Sequence, residues 1–132
     1  MRISIPYYKG VMEADLDAGR VLGAVKARHQ EQRTEEQQRQ IVAEALREPI
    51  ESPRLRELAA DKQRVLVITS DHTRPMPSAI TLPLLLDEIR AGNPQAEIKI
   101  IVATGFHRAM TEAEMRQRFG DALFERETIL VH

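Results

Sequence analysis

Apolar and polar positions change rhythm near residue 64, and the change divides the chain into two kinds of structure. Ahead of that point, "ISIPYY" and "VMEADL" flank "KG", which predicts a hairpin or two short edge strands. Pro6 restricts its strand to an edge, because it has no N–H to give a ladder. The stretch "ARHQEQRTEEQQRQ" is polar enough to serve as a solvated linker, with His29 inside it. Within it, Thr34 and Gln37 have capping-box spacing. Ile41, Val42, Ala45 and Leu46 then recur at helical period, so a helix is expected from Thr34 to Arg47, stopped by Pro49. "SPRLRELA" predicts a second, short helix with Ser52 as cap and Pro53 at its first position.

From residue 64 the apolar runs become short and β-branched. "RVLVITS" has the continuous character of a strand covered on both faces. "SAITLPLLLDEIRAG" predicts a helix closed by Gly92 and Pro94, either starting near Pro83 or kinked there. "EIKIIVAT" is a second buried-type strand, followed by the loop "GFHRAM". Thr111 and Glu114 repeat the capping-box spacing and start a helix ended by Gly120, and "ETILVH" is a third strand. The order is β-α-β-α-β, for which parallel strands joined by right-handed crossovers are the usual outcome. The expected fold class is α/β, with a short N-terminal β-hairpin and helices leading into that parallel-sheet unit, all within one domain, residues 1–132.

Composition narrows the function classes. Nineteen basic residues stand against 20 acidic ones, for a net charge of −1, so no strong field draws the chain to nucleic acid or an anionic membrane. Aromatics are 4% of the residues, too few for a base-stacking surface. The absence of cysteine removes disulfides, thiolate metal sites and cysteine nucleophiles. "MRISIPYYKG" has no apolar signal core and no stretch reaches the length of a membrane span, which makes a cytoplasmic location the expectation. Dinucleotide, P-loop and HExxH signatures are all missing, and no metal ligands are expected in this chain.

The positions that carry chemistry follow the strands. Ligands of open α/β sheets bind beyond the strand carboxyl ends. "SDHTR" follows the first strand, "GFHR" the second, and His132 ends the third, so Asp71, Arg74, His107, Arg108 and His132 are candidates to converge. Each has a plainer reading. Asp71 suits a helix or turn cap, and Arg74 suits a surface ion pair with Asp71. A guanidinium is equally suited to grip a carboxylate or phosphate. His72 adjoins Asp71, so its side chain is expected to diverge. Pro75 and Pro77 stiffen the loop. His107 follows Gly105 and is the acid/base candidate, although a lone loop histidine is commonly just a surface residue.

Together, "SDHTRPMP" and "IIVATGFHRAMTEAEM" resemble the N-terminal domain of the lactate racemase family, whose enzymes use a nickel-pincer nucleotide. The resemblance reaches back through "SPRLREL" and "VLGAV" to "IPYYKG". It implies that Asp71, His72, Thr73 and Arg74 contact the cofactor, that Arg74 also holds the substrate carboxylate, and that His107 is one of two catalytic acid/base histidines. The implied reaction is racemisation or epimerisation of a 2-hydroxy acid, an isomerase chemistry in which a hydride leaves the carbinol carbon and returns to either face. The family's second catalytic histidine, its cofactor-anchoring lysine and its nickel-ligating histidine come later and have no counterpart in these 132 residues. The chain is therefore expected to be inactive alone and to need the family's C-terminal domain as partner. The alternative is a non-catalytic binding module for a nucleotide-like or carboxylate ligand.

Overall fold

The computed structural model describes residues 1–25 and 33–132, which fall into two compact units dividing after residue 32. The first unit holds an antiparallel hairpin of β1 (Arg2–Tyr7) and β2 (Gly10–Asp15), in register from Arg2 opposite Asp15 to Tyr7 opposite Gly10. Its open end is closed by the N-terminal ammonium, which donates to the Leu16 carbonyl at 2.7 Å. The linker histidine, His29, lies outside the described residues.

The second unit contains α1 (Glu35–Arg47), α2 (Leu55–Ala59), β3 (Arg64–Ser70), α3 (Ser78–Gly92), β4 (Glu97–Ala103), α4 (Glu112–Phe119), α5 (Asp121–Arg126) and β5 (Thr128–Val131). The three strands form a parallel sheet in the order β3-β4-β5. Both expected capping boxes are present. The Thr34 hydroxyl accepts from the Gln37 N–H while the Gln37 side chain accepts from the Thr34 N–H, and Thr111 and Glu114 do the same.

Three expectations need correction, and one alternative falls. The second helix starts at Leu55 and not at Pro53, because the Ser52 hydroxyl donates to the Pro53 carbonyl while the Glu57 carboxylate accepts from the Arg54 N–H. α3 runs from Ser78 to Gly92 as the whole segment predicts, so it is only the alternative start near Pro83 that falls. The short helix α5 separates α4 from β5; its six residues give no legible period. Finally, among the described residues β3 is covered on one face only. Val67 and Thr69 face a core of Leu82, Leu86, Ile89, Ile98, Ile100, Val102, Met110, Phe119 and Leu123, whereas Leu66 and Ile68 are exposed. Among the described residues, no helix is long and apolar enough to cross a membrane.

Candidate functional site

The loops after β3 and β4 meet at the carboxyl edge of the sheet. β3 ends at Ser70, and Asp71 turns the chain with an Asx-type bond, its Oδ1 accepting from the Thr73 N–H at 3.0 Å and from the Thr73 hydroxyl at 2.6 Å. After β4, a tight turn from Thr104 is closed by the His107 N–H donating to the Thr104 carbonyl at 3.0 Å, with Gly105 at φ 59°. That left-handed φ is the reason a glycine precedes the site. The turn brings His107 Nδ1 to 2.6 Å from Asp71 Oδ2, across 36 positions of sequence.

This pair is an oriented acid–base dyad. The Asp71 side chain is almost fully buried while 45% of the His107 side chain is exposed. The Thr73 hydroxyl, followed by His107 and the Thr73 N–H, pulls the Asp71 carboxyl down to about 2 against the cost of burial. It is therefore an acceptor-only carboxylate at neutral pH, and Nδ1 must carry the proton it accepts. In that tautomer Nε2 is the ring nitrogen that carries the lone pair. The Thr73 oxygen, 3.3 Å from Nδ1, completes the cluster.

Beside the dyad lies an open pocket of about 590 Å³, lined among others by Ile68, Ser70, Asp71, Arg74, Phe106 and His107. Arg74 does not pair with Asp71. Its guanidinium has no ion-pair partner among the described residues, while its backbone is held by two contacts: its N–H meets the Asp71 carbonyl at 3.4 Å, and Arg118 Nη2 of α4 donates to its carbonyl at 2.8 Å. Arg118 also reaches the Ser70 hydroxyl at 3.4 Å.

The other candidates lie elsewhere. His72 diverges into a neighbouring pocket with Ser78 and Arg118. Arg108 turns away to the Glu114 carboxylate, which it holds well below the usual carboxylate range. His132 is tied by its backbone, its carbonyl accepting from the Thr104 hydroxyl at 2.6 Å. Two contributors had escaped the sequence reading. Phe106 is wholly exposed on the pocket wall, and only its place in "GFHR" hinted at it. Arg118 sits 44 positions beyond Arg74 with no local motif to mark it.

The family model for the lactate racemase N-terminal domain matches residues 7–132. The chain belongs to that family. It is 47% identical over 130 residues to a lactate racemase from Thermoanaerobacterium thermosaccharolyticum, covering 98% of this chain and 30% of the relative. A lactate racemase from Lactiplantibacillus plantarum is 37% identical over the same length, with 31% of the relative covered. The solved structure of the Thermoanaerobacterium lactate racemase apoprotein superposes over the whole chain with a TM-score of 0.85, again spanning 30% of that protein. The family match is therefore to the N-terminal part of longer relatives, and the chain spans about a third of their length.

Proposed function

We propose that this chain forms one wall of a 2-hydroxyacid racemase or epimerase site, with His107 as one acid/base, Arg74 as the carboxylate grip, and the family's C-terminal part as the opposite wall. The observation that carries this reading is the 2.6 Å Asp71–His107 dyad beside a pocket that also holds an arginine with no ion-pair partner among the described residues. Arg74 would hold the substrate carboxylate bidentately, which fixes the carbinol carbon relative to His107. His107 Nε2 would take the hydroxyl proton as the hydride leaves the carbinol carbon, giving the 2-oxo acid, and would return that proton when the hydride comes back. Asp71, with both oxygens engaged inside the loops, acts as a positioning residue that fixes the tautomer.

The nickel-pincer nucleotide of the family suits this pocket in its organic part. The wall offers Phe106 and Ala103 as apolar surface, with the Arg74 guanidinium beside it for the carboxyl-derived and phosphate oxygens. Thr73, Arg74 and, from the adjoining pocket, His72 are the residues of this chain that would hold it. Bound there, the cofactor would supply hydride acceptance and return; the protein contributes position and proton handling.

The test is lactate racemisation by the full-length polypeptide carrying this domain, loaded with cofactor. His107→Ala should lower kcat by about 10²–10⁴-fold, the usual worth of a positioned acid/base. Turnover equal to the unmodified protein would remove His107 from the chemistry. The binding-module reading rests on Arg74, without an ion-pair partner among the described residues. It would prevail if the 132-residue chain bound 2-hydroxy acids or nucleotides tightly while the full-length protein gave no turnover.

A further inference from the structure

The parallel sheet of residues 33–132 buries one face and bares the other. Leu66, Ile68 and Leu130 are 58%, 68% and 45% exposed, while the residues alternating with them are buried in β3 (Val67, Thr69) and half-buried in β5 (Ile129, Val131). The register sets Ile68, Ile101 and Leu130 opposite one another, an apolar row running across all three strands. The row below is Leu66, Lys99 and Thr128. An exposed aliphatic row on a parallel sheet is unusual, because such sheets are normally covered on both faces.

Handedness says what belongs there. The strand order β3-β4-β5 advances in one direction, so right-handed crossovers put both connections on the same face. Chain that follows β5 and pairs with the open edge of β3 must travel the other way. Its right-handed crossover then has to pass over the bare face. Strand order would reverse beside β3, at the carboxyl end where Asp71, Arg74 and the pocket lie, and a reversal point is where open α/β sheets bind ligands. The relatives have the length to do this, since the match spans only about 30% of them.

We infer that the Leu66–Ile68–Ile101–Leu130 face is the docking surface for an amphipathic crossover helix from the part of the racemase polypeptide that follows this match in its relatives, with a parallel strand added at the edge of β3. The inference rests on family membership and topology, and not on the chemistry of His107. Ile68 would then form the floor of the pocket under that helix.

The chain has no cysteine, so single cysteines report accessibility directly. Ile68→Cys, Leu130→Cys and, as a control on α1–α2, Ile50→Cys would be placed in the 132-residue chain and in a chimera that joins it to the remainder of the Thermoanaerobacterium enzyme. Thiol labelling would be followed by peptide mass spectrometry. The first two should label freely in the short chain and about 100-fold or more slower in the chimera, where exposure requires local opening, while Ile50→Cys labels alike in both. Equal labelling of Ile68→Cys in both proteins would overturn the inference. So would protection that already exists in the short chain and grows with its concentration, which assigns the face to a second copy. If the chimera fails to fold, cysteines at the aligned positions of the Thermoanaerobacterium enzyme give the same two outcomes. Loss of the catalytic reading shows separately, as His107→Ala turnover.

Discussion

At the scale of single residues, the decisive fact is that Asp71 spends both oxygens on its own loops. Its depressed carboxyl sets a pH signature. A group whose folded value lies below its ordinary 3.8, at about 2, contributes stability that is complete above the ordinary value and is lost as pH falls through the folded one. Thermal unfolding of the chain between pH 5 and pH 2 should therefore show an acid-sensitive component that Asp71→Asn removes; an unchanged acid slope in that variant would deny Asp71 its ionic role. In the chimera with the remainder of the Thermoanaerobacterium enzyme, the same variant would present an amide N–H to Nδ1 and favour the wrong imidazole tautomer. Turnover should drop by about two to four orders of magnitude, as when an orienting carboxylate is lost from other histidine dyads. Thr73→Val should let the Asp71 carboxyl rise toward its ordinary value, read by carboxyl carbon chemical shift against pH, because the hydroxyl bond is the largest cause of the depression.

At the scale of elements, α4 ties the two site loops to one another. Through Glu114 it holds Arg108 of the second loop, and through Arg118 it holds the backbone of Arg74 in the first. Arg118→Met should release the Arg74 carbonyl and let the guanidinium drift. In the chimera, under the proposed carboxylate role of Arg74, the expected result is a KM for the hydroxy acid raised several-fold to about tenfold with a smaller change in kcat, since uniform binding is what a looser carboxylate grip loses. An equal fall in kcat and kcat/KM would instead mark Arg118 as part of the proton-transfer geometry. A different element contact bears only on stability. Gly92 closes α3 where α2 crosses it, and a Cβ there would overlap the Arg56 carbonyl, which is backbone and cannot swing aside. Gly92→Ala should cost about 1–3 kcal/mol in denaturant unfolding, the range for overpacking a close contact, although alanine is otherwise the better helix former.

These elements also show which parts of the structure a sequence can disclose. Both capping boxes were legible because their partners lie three residues apart. The site's location was legible because strand ends are, and the strands are short β-branched runs. The Asp71–His107 bond was not, since nothing local links positions 36 apart, and the same holds for Arg118. α5 is too short to show a period, and Ser52 had the right residue type for a cap but used its hydroxyl elsewhere. The β3 run reads as covered on both faces because its sequence suits that environment, yet among the described residues only one of its faces is covered.

At the scale of the molecule, one wall of a site binds far less well than two. Ligand sites usually enclose most of a small ligand's surface, and the pocket beside the dyad is open. A single arginine–carboxylate contact at an exposed position also competes with water and salt. The 132-residue chain should therefore bind lactate with a Kd of about 1 mM or weaker, equivalent to about −4 kcal/mol or less favourable. It should racemise none of it. Titration followed by the side-chain resonances of Arg74 and His107 measures the affinity, and polarimetry measures the turnover. A micromolar Kd for the short chain would mean that the site is already complete, and would transfer the assignment to the binding module. Weak binding together with gain of turnover in the chimera would instead make enclosure by the part its relatives carry beyond this match the source of both affinity and catalysis.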